Sequence, residues 1–193
     1  MIPYLYDSAL DWIEPNSRVL DIGTGDGAFL ERVVQDKNCR AVGVERERDL
    51  VARCIERGLT VHHGDVMSGL DQYSDKSFDY ILLIGTFQEV LEPEEVLSES
   101  LRVAKNVIVA YNNFAYWKIR LQMLLKGRVP VITATPHTWY DSPNLSFFSV
   151  LDFKDFCRHM KVKEIKSEYF HRHGHVNFPP NLMAEFVLTL LRE

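Results

Sequence analysis

Two hydrophobic rhythms alternate along the chain. Short solid apolar runs suit strands, and longer stretches with an apolar residue every three or four positions suit helices with one buried side. Residues 3 to 13 carry Leu5, Leu10, Trp12 and Ile13 at helical spacing, and a leading helix should end before Pro15. "RVLDIG", from Arg18, reads as a buried strand stopped by glycines, and "AFLERVVQD" sets Phe29, Leu30, Val33 and Val34 on one helical face. The unit then repeats. "RAVGVE" (40–45) is a second strand, "RDLVARCIERG" a helix closed by Gly58, and "LTVHHGD" (59–65) a third strand. "SFDYILLIGT" (77–86) is almost wholly apolar from Tyr80 to Ile84, as in a central strand covered on both faces. Pro93, Glu94 and Glu95 open the helical stretch "EPEEVLSESLRVA", where a proline fits the first turn and carboxylates suit the helix dipole. "NVIVAY" (106–111) is a fifth strand.

Beyond it, "FAYWKIRLQMLLKG" puts Phe114, Trp117, Leu121, Leu124 and Leu125 on one face of a helix that Gly127 ends. The stretch "GRVPVITATPHTWYDSPN" (127–144) keeps neither period, "VLDFKDFCRH" starts a helix near Asp152, and two strand-like runs close the chain, "KVKEIKSEYF" and "NLMAEFVLTLLRE". Strands and helices alternating in this way predict a doubly wound α/β fold with a mostly parallel sheet and right-handed crossovers. The last two runs have no helix between them and predict a C-terminal antiparallel hairpin.

The length of 193 residues suits a single domain over 1–193, with an insertion at about 113–150 between strand five and the hairpin. Hydrophobic residues at 46% and charged residues at 25% exclude wholesale disorder. A net charge of −5 gives no long-range attraction to nucleic acid or anionic membrane, so neither is expected as a partner. Cys39, Cys54 and Cys157 are odd in number and lack CxxC spacing, as for reduced thiols. "MIPYLYDSALDWIEP" has no basic segment followed by an apolar run, and a cytoplasmic protein is expected.

The chemistry gathers at strand ends. The first strand runs into Asp21, Gly23, Thr24, Gly25, Asp26 and Gly27, where glycines let a ligand approach the backbone and a helix N-terminus follows. Read as G-x-G-x-x-A this also satisfies a dinucleotide fingerprint, with Glu45 at a ribose-binding distance, so a nicotinamide-dependent reductase is one reading. Asp21 argues against it, because a carboxylate there repels pyrophosphate and attracts a cationic amino-acid portion. Glu45 ends strand two, where it can accept from ribose hydroxyls. Asp65 ends strand three, where it can accept from an adenine amine, with Val66 against the ring.

Residues 15–112 thereby resemble the class I S-adenosylmethionine-dependent methyltransferases, whose sheet also ends in an antiparallel hairpin. The resemblance implies that Asp21, Gly23, Thr24, Gly25, Glu45, Arg46, Asp65, Val66 and Thr86 bind S-adenosylmethionine. The acceptor, an unidentified small molecule, is then expected beyond strands four and five, by Thr86, Gln88, Glu89, Tyr111, Asn112 and Asn113. Four stretches together narrow the likeness: "VLDIGTGDG", "GVERERDLVARCIERGLTVHHGD", "NNFAYWKIRLQMLLKGRVP" and "HTWYDSPN". With these the chain is similar to the MetW-type methionine-biosynthesis proteins. That likeness implies a methyltransferase core working beside homoserine O-acyltransferase, as an enzyme or as a non-catalytic activating subunit. No catalytic residue follows from the pattern. Tyr111, His137 and Tyr140 are candidates, and His137, Trp139 and Tyr140 are expected over the acceptor pocket or its mouth.

Smaller signals remain. His171, His173 and His175 would share one face of an extended strand at near zinc-ligand spacing, but Gly174 interrupts them without an acid or cysteine nearby, which favours a solvated strand end and no metal. His62 and His63 alternate across strand three. Lys118, Arg120, Lys126 and Arg128 gather around the helix from 114, and Trp117, Trp139 and Tyr140 suit core or lid packing as well as an interface.

Overall fold

The solid apolar runs become the middle of one eight-stranded sheet. A computed structural model describes residues 3–129, 131, 138, 140–143 and 145–193. In chain order the elements are α1 (Pro3–Trp12), β1 (Arg18–Ile22), α2 (Ala28–Lys37), β2 (Arg40–Glu45), α3 (Arg48–Glu56) and β3 (Val61–His63). There follow α4 (Val66–Asp71), β4 (Phe78–Ile84), a 3-10 turn (Phe87–Glu89), α5 (Pro93–Val103), β5 (Ala104–Asn112), α6 (Trp117–Lys126) and α7 (Val150–His159). The chain closes with β6 (Lys163–His171), β7 (Gly174–His175), α8 (Pro180–Met183) and β8 (Phe186–Arg192). Among the described residues no helix is long and apolar enough to cross a membrane.

The strand order is β3-β2-β1-β4-β5-β8-β6-β7. The first five strands pair in parallel, and β8 returns antiparallel against β5, with Asn112 opposite Phe186. This is a doubly wound, Rossmann-like architecture closed by antiparallel strands. The strand order reverses between β1 and β4, which opens a crevice beyond their carboxyl ends. Alternation along β4 shows why its sequence is apolar throughout. Tyr80, Leu82 and Ile84 join the cluster under α1 and α2, and Ile81 and Leu83 join the cluster on the opposite face.

The expected C-terminal hairpin is present as an antiparallel β6–β8 pair, but β7 and α8 intervene, and β8 lies between β5 and β6. The histidine run does not stay on one strand. It turns between β6 and β7, where the His173 N–H donates to His171 Nδ1 and the His175 ring packs on Phe170. Strand three is shorter than expected at both ends, and α4 starts at Val66 directly after it. Strand five begins two residues earlier than its apolar run, at Ala104.

The largest departure is α6. Its predicted apolar face does not enter the core: Leu124 and Leu125 are 82% and 74% exposed, Leu121 and Trp117 are partly exposed, and Ile119 alone on the helix is buried. The aromatic residues Tyr111, Phe148 and Phe153, from β5, α7 and the segment before it, pack on one another.

Candidate functional site

The turn after β1 takes backbone angles that glycine adopts without strain. Gly23, Gly25 and Gly27 have φ values of 78°, 63° and 80°, a region that side chains resist. A Cβ on Gly23 would lie 2.0 Å from Thr86 Oγ1, whose hydroxyl donates to the Ile22 carbonyl at 2.8 Å and ties β4 to β1. A Cβ on Gly25 would meet nothing within 4 Å. Gly23 is therefore required by packing, whereas Gly25 is required by its backbone angle and faces open space.

Glu45 fastens this turn to β2. Its Oε2 accepts from the Gly25 N–H at 2.8 Å, and its Oε1 accepts from the N–H groups of Arg46 and Glu47 at 2.7 and 2.9 Å. A carboxylate offers about four acceptor positions, so one remains, on Oε2. Asp21 lies under the same turn, 4% exposed. Burial, and next the charge of Glu45, push its carboxyl up to about 7, against a smaller downward pull from the Thr24 hydroxyl. Tyr6 of α1 covers this end, its phenol pushed up to about 12 by burial and then by Asp21 and Asp26.

Asp65 is the N-cap of α4, not merely a strand-end acid. Its Oδ1 accepts from the Ser68 N–H at 2.8 Å, and this bond with the Ser68 hydroxyl holds its carboxyl below the ordinary range. Gly69 lets α4 sit against β2, since a Cβ there would lie 2.9 Å from both methyls of Val44.

These parts border one cavity of about 630 Å³ at the switch point. Gly23, Glu45, Arg46, Asp65, Val66 and Thr86 line it, as the sequence led one to expect, while Asp21, Thr24 and Gly25 are not part of its wall. Also at the wall are residues the sequence reading did not assign there: Glu47, Leu50, Met67, Leu91, Glu92 and Glu95 among them. Glu95, read as a helix-capping acid, has its carboxyl raised by the adjacent Glu92 through a hydrogen bond and its charge. Its i+3 spacing from Glu92 was the signal available. Six carboxylates, Glu45, Glu47, Asp65, Glu89, Glu92 and Glu95, face one guanidinium, Arg46. That field attracts a cation and opposes a pyrophosphate.

Of the residues expected around the acceptor, Thr86 and Glu89 line the cavity, whereas Gln88, Tyr111 and Asn113 are used structurally. Tyr111 is 3% exposed within the aromatic core, its ring centroid 4.5 Å from that of Phe153, and burial raises its phenol well above the usual range. Gln88 clamps β5, donating to the Asn112 carbonyl and accepting from its N–H. Asn113 ties β5 to the segment before β8, donating to the carbonyls of Ala184 and Asn181 at 2.8 and 3.1 Å. Tyr140 is exposed, and His137 and Trp139 lie outside the described residues. Among the described residues no group of three or more His, Cys, Asp or Glu side chains could hold a metal, and all three cysteines are buried and free.

Comparison with known proteins gives a match of residues 5–191 to the family model described as "Methionine biosynthesis protein MetW". A bifunctional methionine biosynthesis protein MetXA/MetW from Rhodopirellula baltica is 31% identical over 166 residues, which cover 81% of this chain and 26% of that protein. The chain thus spans about a quarter of the length of the curated relatives it matches. Among solved structures, a SAM-dependent methyltransferase from Archaeoglobus fulgidus is 15% identical and superimposes with a TM-score of 0.71 over 97% of this chain and 90% of that one. The plantazolicin methyltransferase BpumL, solved with SAH, is 14% identical, with a TM-score of 0.69 over 99% and 85% of the two chains.

Proposed function

The chain belongs to the MetW family of methionine biosynthesis proteins, and on that footing we propose that it binds S-adenosylmethionine in the acidic cleft and transfers a methyl group to a small molecule beyond β4 and β5. The observation that carries this reading is the Glu45 carboxylate, held by three backbone N–H groups with one acceptor position left, beside a glycine whose missing side chain leaves open space. Its free position on Oε2 would accept from a ribose hydroxyl. Asp65 and Val66 would flank the adenine, and Asp21 beneath the turn would favour the ammonium of the methionine portion. Gly23, Thr24 and Thr86 hold the turn, and Arg46 and Glu47 fix Glu45.

Bound there, S-adenosylmethionine would supply an electrophilic methyl on a sulfonium. The chain's own part is alignment and exclusion of water, which suffices for a displacement whose charge disperses in the transition state. A crystal structure with S-adenosylhomocysteine tests the assignment: ribose oxygens within hydrogen-bond distance of Glu45 support it, and a nucleoside bound elsewhere on the chain refutes it.

A second reading, compatible with the first, has the chain act on homoserine O-acyltransferase as an activating subunit. Helix α6 favours it, because Leu121, Met123, Leu124 and Leu125 stand exposed on an element whose charged residues, Lys118, Arg120 and Lys126, are all basic. That combination fits an acid-rimmed apolar patch on another protein. The MetXA/MetW relative motivates the choice of partner. Co-purification of the two proteins, lost in a Leu124→Asp, Leu125→Asp variant, supports this reading, whereas no association of the wild types at micromolar concentration removes it.

A further inference from the structure

The glycine turn is moulded by one unit, the end of β2 and the helix α3 that follows it. On the strand side the Val44 carbonyl accepts from the N–H groups of Gly23 and Thr24 at 2.9 and 3.2 Å, and Glu45 takes the Gly25 N–H. The far end of α3 then reaches back to the same turn. The Cys54 thiol donates to the Gly25 carbonyl at 3.3 Å, and Nε of Arg57, the C-cap residue of α3, donates to the Asp26 carbonyl at 2.9 Å. Cys54 and Leu59 also press under Gly27, where a Cβ would lie 2.9 Å from the Cys54 sulfur and 2.7 Å from Leu59 Cδ1. The cofactor contacts described above use only the strand side of this mould.

Arg57 differs from the rest of it by where it stands. Val44, Glu45 and Cys54 are buried, whereas the Arg57 side chain is 37% exposed and comes to the turn from the surface. Besides the Asp26 carbonyl, its guanidinium meets the Asp26 carboxylate at 3.4 Å and Glu31 Oε2 at 2.8 Å. Glu31 lies in the first turn of α2, so one planar fork ties the exit of the glycine turn to the helix that continues it. Arg57 is also a cation among acids. The Cys54 thiol is pushed up by burial, and then by Glu45, Asp21 and Asp26, with Arg57 pulling the other way. A thiol held protonated stays a donor to Gly25. Ion pairs at this exposure add little to stability, so the use of Arg57 lies in where it holds the backbone.

We propose that Arg57 is a positioning residue of the cofactor turn. By holding the Asp26 carbonyl and Glu31 together it sets Gly25 so that its N–H meets Glu45, and the Glu45 carboxylate keeps its aim into the cleft. Affinity for the cofactor then depends on a side chain that is not part of the cavity wall. The consequence for affinity rests on the S-adenosylmethionine reading; the geometry, which concerns the Gly25 N–H and Glu45, does not.

NMR and calorimetry together test this. Arg57→Ala should move the Gly25 amide proton upfield, as a weakened hydrogen bond does, and lower the affinity for S-adenosylhomocysteine by about fivefold or more. Arg57→Lys keeps a charge and a donor without the planar fork and should recover part of each effect. Arg32→Ala is the matched control, since Arg32 is 41% exposed and pairs with Asp7 and Asp36 on the other side of α2's first turns. It should leave both readings at their wild-type values. Unchanged β4 amide signals establish that each variant folds. An Arg57→Ala protein with the Gly25 amide or the S-adenosylhomocysteine affinity of wild type overturns the proposal, as do equal effects in Arg57→Ala and Arg32→Ala. If the wild type itself binds no S-adenosylhomocysteine, the cofactor reading fails alone, and the Gly25 amide, read without ligand, still decides for or against Arg57.

Discussion

Asp21 is a residue whose cost and use can be separated. Its carboxyl is raised from an ordinary 3.8 to about 7 by burial and by Glu45. A group raised in the folded state contributes no penalty below its unfolded value, and its penalty grows as pH rises towards the folded value. The empty protein should therefore lose stability between about pH 4 and 7, by up to roughly 4 kcal/mol. Asp21→Asn removes that loss: thermal melts should coincide with wild type near pH 4 and lie higher above pH 7, while affinity for S-adenosylmethionine falls. An Asp21→Asn protein no more stable than wild type at pH 8 contradicts this account. The glycines make a matching pair. Gly25→Ala meets no atom but has a left-handed φ, so it should cost about 1–2 kcal/mol, whereas Gly23→Ala must also displace Thr86 and should cost more. Paired denaturant titrations read the difference. At this scale Asp21, the glycines and Glu45 were legible, because a turn leaving a strand admits few residue types. The capping bond of Asp65 was not, since nothing in "HHGDV" announces that a helix begins there.

The βα units were legible as elements because each carries several apolar residues at one period. α4 was not: its six residues include Gly69, which reads as a breaker but is the residue that lets the helix approach Val44. α6 shows the converse failure. Its period is helical and the helix forms, but a periodic apolar face does not say whether the same chain or another covers it. Leu124→Glu and Leu125→Glu should therefore change stability by no more than about 0.5 kcal/mol. Ile119→Ala, at the buried contact, should cost roughly 2–4 kcal/mol. Differential scanning calorimetry separates the two; a large loss from the leucine variants means that the face is packed in solution. The capping box of α7 is a third element-level case: Ser149 and Asp152 bond reciprocally, so Ser149→Ala should cost about 1 kcal/mol. The sequence pointed to Asp152 and left the N-cap itself unassigned.

Across the whole molecule, charge is divided by place. The cleft at the switch point is rimmed by carboxylates, and the α6 region is basic and apolar. Strand order put Gly23, Glu45, Asp65 and Thr86 at one edge although they are up to 63 residues apart in the chain (86 − 23), and that convergence was readable from alternation alone. The insertion of β8 between β5 and β6 was not, since two strand-like runs without a helix between them fit a plain hairpin equally well. Membership of the MetW family places the chain among the methionine biosynthesis proteins, and the proposed chemistry belongs to the cleft. The most direct measurement is a calorimetric titration of the wild-type chain at pH 8 with S-adenosylhomocysteine and, separately, with oxidised nicotinamide dinucleotide. The account predicts a dissociation constant on the order of 1 µM or tighter, about −8 kcal/mol, for the first and no heat of binding for the second. Binding of the dinucleotide in the absence of any binding of S-adenosylhomocysteine would contradict it.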